Sequence, residues 1–214
     1  MDDAVQATVD TTQMRGLVDE GIYLPESTVD LDGATAADAD SAGAGGGTPV
    51  EGPARDRSNR CDTGVGFNSK GNIAYLPRRE QAGECVATGA FASLTQADYT
   101  PPPRKKLGFA LPGFRDLPSN RARGHLIGFA MGGSNSDTRN FVPMYQEANQ
   151  SMWDHAEDPV VESIKSGGHQ FIEVIPVYGN PTSAIPSKIK FNSFGDVDVH
   201  CEFDNNAMGT YKCQ

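Results

Sequence analysis

Between residues 33 and 47 the chain reads Gly-Ala-Thr-Ala-Ala-Asp-Ala-Asp-Ser-Ala-Gly-Ala-Gly-Gly-Gly, a run with almost nothing to bury. Such sequence behaves as a linker and cannot contribute to a core. Its surroundings share the character: positions 1–50 hold ten acidic residues and a single basic one, Arg15. The chain is therefore expected to divide into an acidic, Gly/Ala-rich flexible segment, 1–54, and a folded domain, 55–214. Asp30, Asp32, Asp38 and Asp40 lack the glycine and the terminal glutamate of a calcium-binding EF-hand loop. No apolar stretch approaches the roughly 18 residues of a spanning helix. The opening Met1-Asp2-Asp3 shows neither the basic nor the apolar part of a signal peptide.

The folded part reads as α+β, with a mixed or antiparallel sheet and no βαβ alternation. Residues 66–76 predict a hairpin with its turn at Ser69-Lys70-Gly71. Five prolines between 99 and 120 predict irregular chain there. Residues 124–133 are apolar but too short to define a helix. From Asn149 to Lys165 the spacing is helical, with Met152, Trp153, Ala156 and Val160 on one side, and Pro159 predicts a kink or two consecutive helices. Residues 171–178 predict a strand, placed at a sheet edge because of Pro176. Residues 189–203 predict a closing hairpin with its turn at Gly195-Asp196. Four cysteines, Cys61, Cys85, Cys201 and Cys213, admit three pairings. The short polar segment between Cys201 and Cys213 favours closing that loop, worth about 3 kcal/mol in a chain-entropy picture, and leaves Cys61 with Cys85. An even count without a CxxC suits disulfides in an oxidising compartment better than zinc.

The net charge of −10 hides an asymmetry. Residues 55–140 hold 13 basic and 7 acidic residues, whereas residues 141–214 hold 4 and 10. A basic half within an acidic protein is a candidate surface for a polyanion. Within it lies Arg121-Ala122-Arg123-Gly124-His125-Leu126-Ile127-Gly128, followed by Asp137-Thr138-Arg139-Asn140-Phe141-Val142-Pro143 and by Asn149-Gln150, with Glu157 eight residues later. Arg123 and His125, two apart on a strand, share a face. Asn149 and Glu157, two helical turns apart, share a broad face of a helix. A neutral histidine can take a proton from water. An asparagine oxygen suits a hard cation such as Mg²⁺, and an arginine holds phosphate. Each residue also has an ordinary reading: His125 as a structural histidine, Asn140 as a turn residue, Asn149 as a helix N-cap. His155 is expected to point away and lie exposed, and His169 and His200 read as structural.

Together these elements, across residues 104–193, resemble the DNA/RNA non-specific endonuclease family of the ββα-metal, or His-Me finger, nucleases. The run from Ala122 to Gly128 with Gly132-Gly133-Ser134 is especially similar to nuclease domains at the C-termini of bacterial secreted toxins. The resemblance implies a ββα-metal core at about 120–166. His125 would be the general base, Asn149 the Mg²⁺ ligand (Mn²⁺ substituting), Arg123 the signature arginine and Glu157 the helical acid near metal-bound water. Asn140 and Gln150 would support the site. Many members carry Asp where this chain has Ala122, a departure that would lower activity if that Asp orients the arginine or the water.

The expected function is Mg²⁺-dependent cleavage of DNA, and of RNA, with little sequence preference, by a nuclease or toxin secreted or delivered outside the producing cell. Arg104, Lys105, Lys106, Arg115, Arg121 and Arg139 would contact phosphates without reading bases. An inhibitory (immunity) protein is an expected partner, and a membrane is not. Two alternatives stand beside this reading: a nucleic-acid-binding module that has lost catalysis, and a metal-dependent phosphoesterase for small substrates. No GxSxG or GxxxxGK[ST] motif points elsewhere.

Overall fold

The computed structural model describes Cys61 and residues 64–101 and 107–214. Arg104, Lys105, Lys106, the segment 1–54 and the start of the folded domain at 55 lie outside the described residues. Ser58–Gln214 forms one unit, to which everything below applies.

Eleven strands are present among the described residues: β1 (Gly66–Phe67), β2 (Ile73–Tyr75), β3 (Arg79–Gln81), β4 (Glu84–Val86), β5 (Ala90–Leu94), β6 (Arg121–His125), β7 (Phe141–Tyr145), β8 (Gln170–Val177), β9 (Lys188–Gly195), β10 (Val199–Asp204) and β11 (Tyr211–Cys213). Seven form one sheet in the order β1-β2-β5-β8-β9-β10-β11, while β3–β4 and β6–β7 are separate hairpins. Each of these pairings is antiparallel. The two expected hairpins form, with Gly71 at positive φ in the first turn and Gly195 ending β9 in the second.

One expectation fails. Strand β8 is not an edge: it lies between β5 and β9. Pro176 cannot donate to a ladder, which is the reason to expect an edge. The structure accommodates it because β5 pairs only as far as Val174, so at Pro176 the strand has a neighbour on one side alone, through Ile189 of β9.

The core lies between this sheet and a helical stretch. Residues Gln170, Ile172, Val174 and Pro176 face inward along β8 in strict alternation. Against them runs α1 (Gln146–Met152), then a wide π-helical turn (Trp153–Glu157), then α2 (Asp158–Lys165). Ala148, Met152, Ala156, Val160 and Ile164 are all buried at a uniform spacing of four. In a regular helix such a stripe drifts by about 40° per step, because a turn holds 3.6 residues. A π turn holds more residues and absorbs part of the drift, which keeps the stripe on the sheet. Burying one side chain such as Ile164 contributes about 1.5–3 kcal/mol. Pro159 sits in the first turn of α2, where its missing N–H is harmless. Helix α1 starts three residues before Asn149, and Trp153 leaves the stripe as partly buried.

The disulfides are Cys61–Cys85 and Cys201–Cys213. The second joins directly opposed residues of β10 and β11 and pins the last strand to the sheet. No helix among the described residues is long and apolar enough to cross a membrane.

Candidate active site

Strand β6 carries Arg123 and His125, and β7 lies beside it with Pro143 opposite Arg123 and Phe141 opposite His125. The rings of His125 and Phe141 stand 4.4 Å apart. Strand β7 leads without a loop into α1, so the two strands and the helix form one β-β-α unit. Asn205 fastens this unit to the main sheet: its Nδ2 donates to Pro143 O and Pro186 O, and its Oδ1 accepts from Tyr145 N–H at 2.9 Å.

Between the hairpin and the helix lies a cavity of about 350 Å³, lined by Ala122, Arg123, His125, Asn149, Gln150 and Glu157 among others. Each candidate for catalysis or metal binding read from the sequence borders it. Two glycines stand where a side chain would crowd its surroundings. A Cβ on Gly124 would fall 2.2 Å from Met144 Sδ and 3.4 Å from Asn149 Oδ1. A Cβ on Gly128, whose φ is an ordinary −61°, would fall 2.8 Å from Glu157 Oε1. Both are therefore required by crowding and not by backbone conformation. Because α1 is capped at Tyr145, Asn149 is not an N-cap, and its amide belongs to the cavity wall. Gln150 lines the cavity and also donates to Asp154 Oδ1 at 2.8 Å. Glu157 is only 7% exposed, and the π turn brings it to the same wall.

Asn140 is fully buried and makes three hydrogen bonds. Its Oδ1 accepts from Ile127 N–H at 2.8 Å, and its Nδ2 donates to Ile127 O and Ser134 O at 3.0 Å each. It thereby ties the chain beyond β6 to the loop 132–137. That loop is held from its other side by the Tyr75 hydroxyl, which accepts from Ser134 N–H at 2.9 Å. Burial pushes the Tyr75 hydroxyl above its ordinary range, so it stays a neutral acceptor. The same loop delivers Asn135, whose Oδ1 is 2.8 Å from His125 Nε2. Sequence reasoning missed Asn135 and Asn205, because their significance lies in long-range folding and neither belongs to a motif.

The arginines divide. Arg123 lines the cavity and an adjoining groove of about 970 Å³ that also contains Arg115. Its guanidinium lies 4.3 Å from the Phe114 ring centre, and its Nε donates to Phe109 O. Arg121 spends Nη1 on Leu117 O at 2.6 Å. Arg139 is elsewhere, in a third cavity of about 750 Å³, forked onto Asp137 at 2.6 Å.

The oxygen donors facing the 350 Å³ cavity are amides and one carboxylate, and among the described residues no group of three or more His, Cys, Asp or Glu could hold a metal. This set does not suit structural zinc. It does fit a hard divalent cation that keeps most of its water.

Residues 87–194, half of the chain, match the DNA/RNA non-specific endonuclease family. A search of curated proteins gave no match. Among solved structures, the chain is similar to metal-free NucA from Streptococcus agalactiae, at 16% identity over 72% of this chain and 79% of that one, with a TM-score of 0.48. It is similar to the magnesium-bound form at 15% identity, covering 70% and 90%, with a TM-score of 0.49. The Sda1 nuclease with bound zinc follows at 16% identity, covering 64% and 75%, also at 0.49. On the family match, which takes in β6, β7, both helices and every wall of the cavity named above, the chain belongs to the DNA/RNA non-specific endonuclease family and is a nucleic-acid hydrolase.

Proposed function

We propose that the chain is a Mg²⁺-dependent endonuclease that hydrolyses phosphodiester bonds of DNA and RNA with little sequence preference, through a ββα-metal finger formed by β6, β7 and α1. The observation that carries this reading is the convergence of Arg123, His125, Asn149, Gln150 and Glu157 on one cavity. His125 is the general base, taking a proton from the attacking water. Arg123 holds the scissile phosphate; its one hydrogen bond among the described residues uses Nε, which leaves the terminal amino groups as donors. Asn149 Oδ1 would hold the cation, and Glu157, on the same wall, would orient its water. When bound, the cation offsets charge building on the phosphate and on the leaving oxygen. Asn140 and Gln150 hold the walls in place.

Two disulfides support a site of action outside the producing cell. A non-specific nuclease endangers the nucleic acid of the cell that makes it, which is the reason to propose an inhibitory partner protein there.

The test is digestion of plasmid DNA and total RNA with Mg²⁺ or with EDTA, by the wild type and His125→Ala. Metal-dependent degradation that disappears in the variant is the expected result. One observation favours a second reading: Ala122, where many family members carry Asp, lines the cavity itself. Binding without cleavage, across several divalent metals, would make the chain a nucleic-acid-binding module.

A further inference from the structure

We infer that Asn135 is a positioning residue for His125, fixing both the orientation and the tautomer of the imidazole. The inference rests on His125 being the base, as proposed above, and adds to that reading a residue outside the three sequence elements. The geometry is specific. Asn135 Oδ1 lies 2.8 Å from His125 Nε2, within the range of a good hydrogen bond. An amide oxygen only accepts, so the Nε2 facing it is the protonated nitrogen. A neutral imidazole carries one N–H and one lone pair, and the contact therefore assigns the lone pair, the group that receives a proton, to Nδ1. Removing the acceptor removes this preference for the Nε2–H form, the one with its base at Nδ1.

Three further features make Asn135 suited to the task. It borders the same cavity as His125 and reaches it from the loop, across from the hairpin that carries the ring. Its loop is clamped at the preceding residue, where Ser134 N–H donates to the Tyr75 hydroxyl and Ser134 O accepts from Asn140. The Ser134 hydroxyl caps the residues that follow, accepting from Ser136 N–H at 3.1 Å and Asp137 N–H at 2.9 Å. The ring also packs against Phe141, 4.4 Å away between centres. The imidazole is thus held by an aromatic wall on its own hairpin and by an amide on a braced loop. This gives Asn140 a function beyond general support: it fixes the loop that aims Asn135.

The experiment crosses two Asn135 variants with His125→Ala and reads kcat and KM on plasmid DNA. Asn135→Leu keeps the volume and removes the acceptor; Asn135→Asp keeps an acceptor oxygen. Expected is a loss of about 10- to 100-fold in kcat for Asn135→Leu with KM unchanged, the size usual for losing a group that orients a functional residue. Asn135→Asp should restore most of it. In the His125→Ala background, Asn135→Leu should change the residual rate less than about twofold, since coupled residues are non-additive. A merely structural role would lower both backgrounds alike. Ring ¹⁵N chemical shifts of His125 give an independent reading: the wild type should show the Nε2–H tautomer and Asn135→Leu a smaller share of it. Equal losses in both backgrounds, or an unchanged tautomer, would overturn the inference. If His125→Ala itself retained full activity, the nuclease mechanism would have failed instead, so the two failures are separable.

Discussion

Two cavities lie on either side of the loop 132–139, and the larger one is the less suited to catalysis. The 750 Å³ cavity holds Lys70, Arg78 and Arg139, which on charge alone resembles a phosphate site. Lys70 is bound to Asp98 at 2.8 Å and Arg139 to Asp137 at 2.6 Å, so the charge of each is matched by a carboxylate. In the 350 Å³ cavity, among the described residues, Arg123 has aromatic neighbours and a backbone carbonyl in place of a carboxylate. A cation countered by its own carboxylate has little attraction left for phosphate, whereas one held by a π-face and a carbonyl keeps its charge available. Volume ranks the cavities one way and chemistry the other.

The largest expected effect is the loss of the base. His125→Ala should reduce kcat by about 10²- to 10⁴-fold, the usual worth of general base catalysis. Lys70→Ala, on the other side of the loop, should leave kcat within a factor of about two. Gel-based plasmid cleavage under single-turnover conditions decides this, and comparable losses in the two variants would erase the distinction between the cavities.

The arginines sharpen it further. Arg123→Ala should lower kcat/KM by about 10²-fold and flatten the salt dependence of cleavage, because one phosphate contact is gone. Arg139→Ala should leave the salt slope unchanged and destabilise the fold by about 1.5–3 kcal/mol, the net worth of a hydrogen bond to a charged group. A salt series on both variants, with urea denaturation of each, tests the pair. If Arg139→Ala flattens the salt slope, its guanidinium exchanges Asp137 for phosphate when substrate binds.

Glycines make the same contrast through the backbone. Gly128→Ala inserts a methyl 2.8 Å from the Glu157 carboxylate, so activity should fall several-fold with little loss of stability. Gly132 stands at φ +81°, and a side chain there is strained whatever the space. Gly132→Ala should cost about 1–2 kcal/mol of stability, the penalty of a left-handed L-residue. Cleavage rates should therefore fall chiefly in Gly128→Ala and melting temperatures chiefly in Gly132→Ala.

How much of this was legible in the sequence follows from the range of each interaction. Arg123 with His125, and Asn149 with Glu157, are related by strand and helix periods, and the cavity brings all four together. The turns at Gly71 and Gly195 announce themselves by residue type. Pro176 misled, since a local rule about missing donors cannot see that β5 stops pairing at Val174. The split among the arginines was invisible for a similar reason. Arg121 and Arg139 read as phosphate contacts, yet one donates to the Leu117 carbonyl and the other is paired with Asp137. Asn135 illustrates the limit best, because its partner is ten residues away and the loop that carries it takes its path from Tyr75 and Asn140.

The smallest expected effect concerns Asp98, at the base of the larger cavity. It is almost fully buried and accepts from Lys70 Nζ at 2.8 Å and from Thr95 N–H at 3.0 Å. Burial alone pushes the Asp98 carboxyl up, but the hydrogen bonds from Lys70 and Thr95 outweigh it and hold it below its ordinary value. A carboxyl whose folded pKa is lowered stabilises the fold above its unfolded pKa, about 3.9, and the contribution disappears as pH falls through the folded value. Lys70 is more than half exposed, which weakens its share through solvent screening. Asp98→Asn should thus lower stability by about 1 kcal/mol at pH 7, with the difference from wild type constant down to about pH 5 and shrinking below pH 4. Cleavage rates at neutral pH should be unchanged, because Asp98 and Lys70 border the larger cavity, which contains none of the proposed catalytic or metal-binding residues. A variant that lost activity while keeping its denaturation midpoint would place Asp98, and with it the larger cavity, in contact with the substrate.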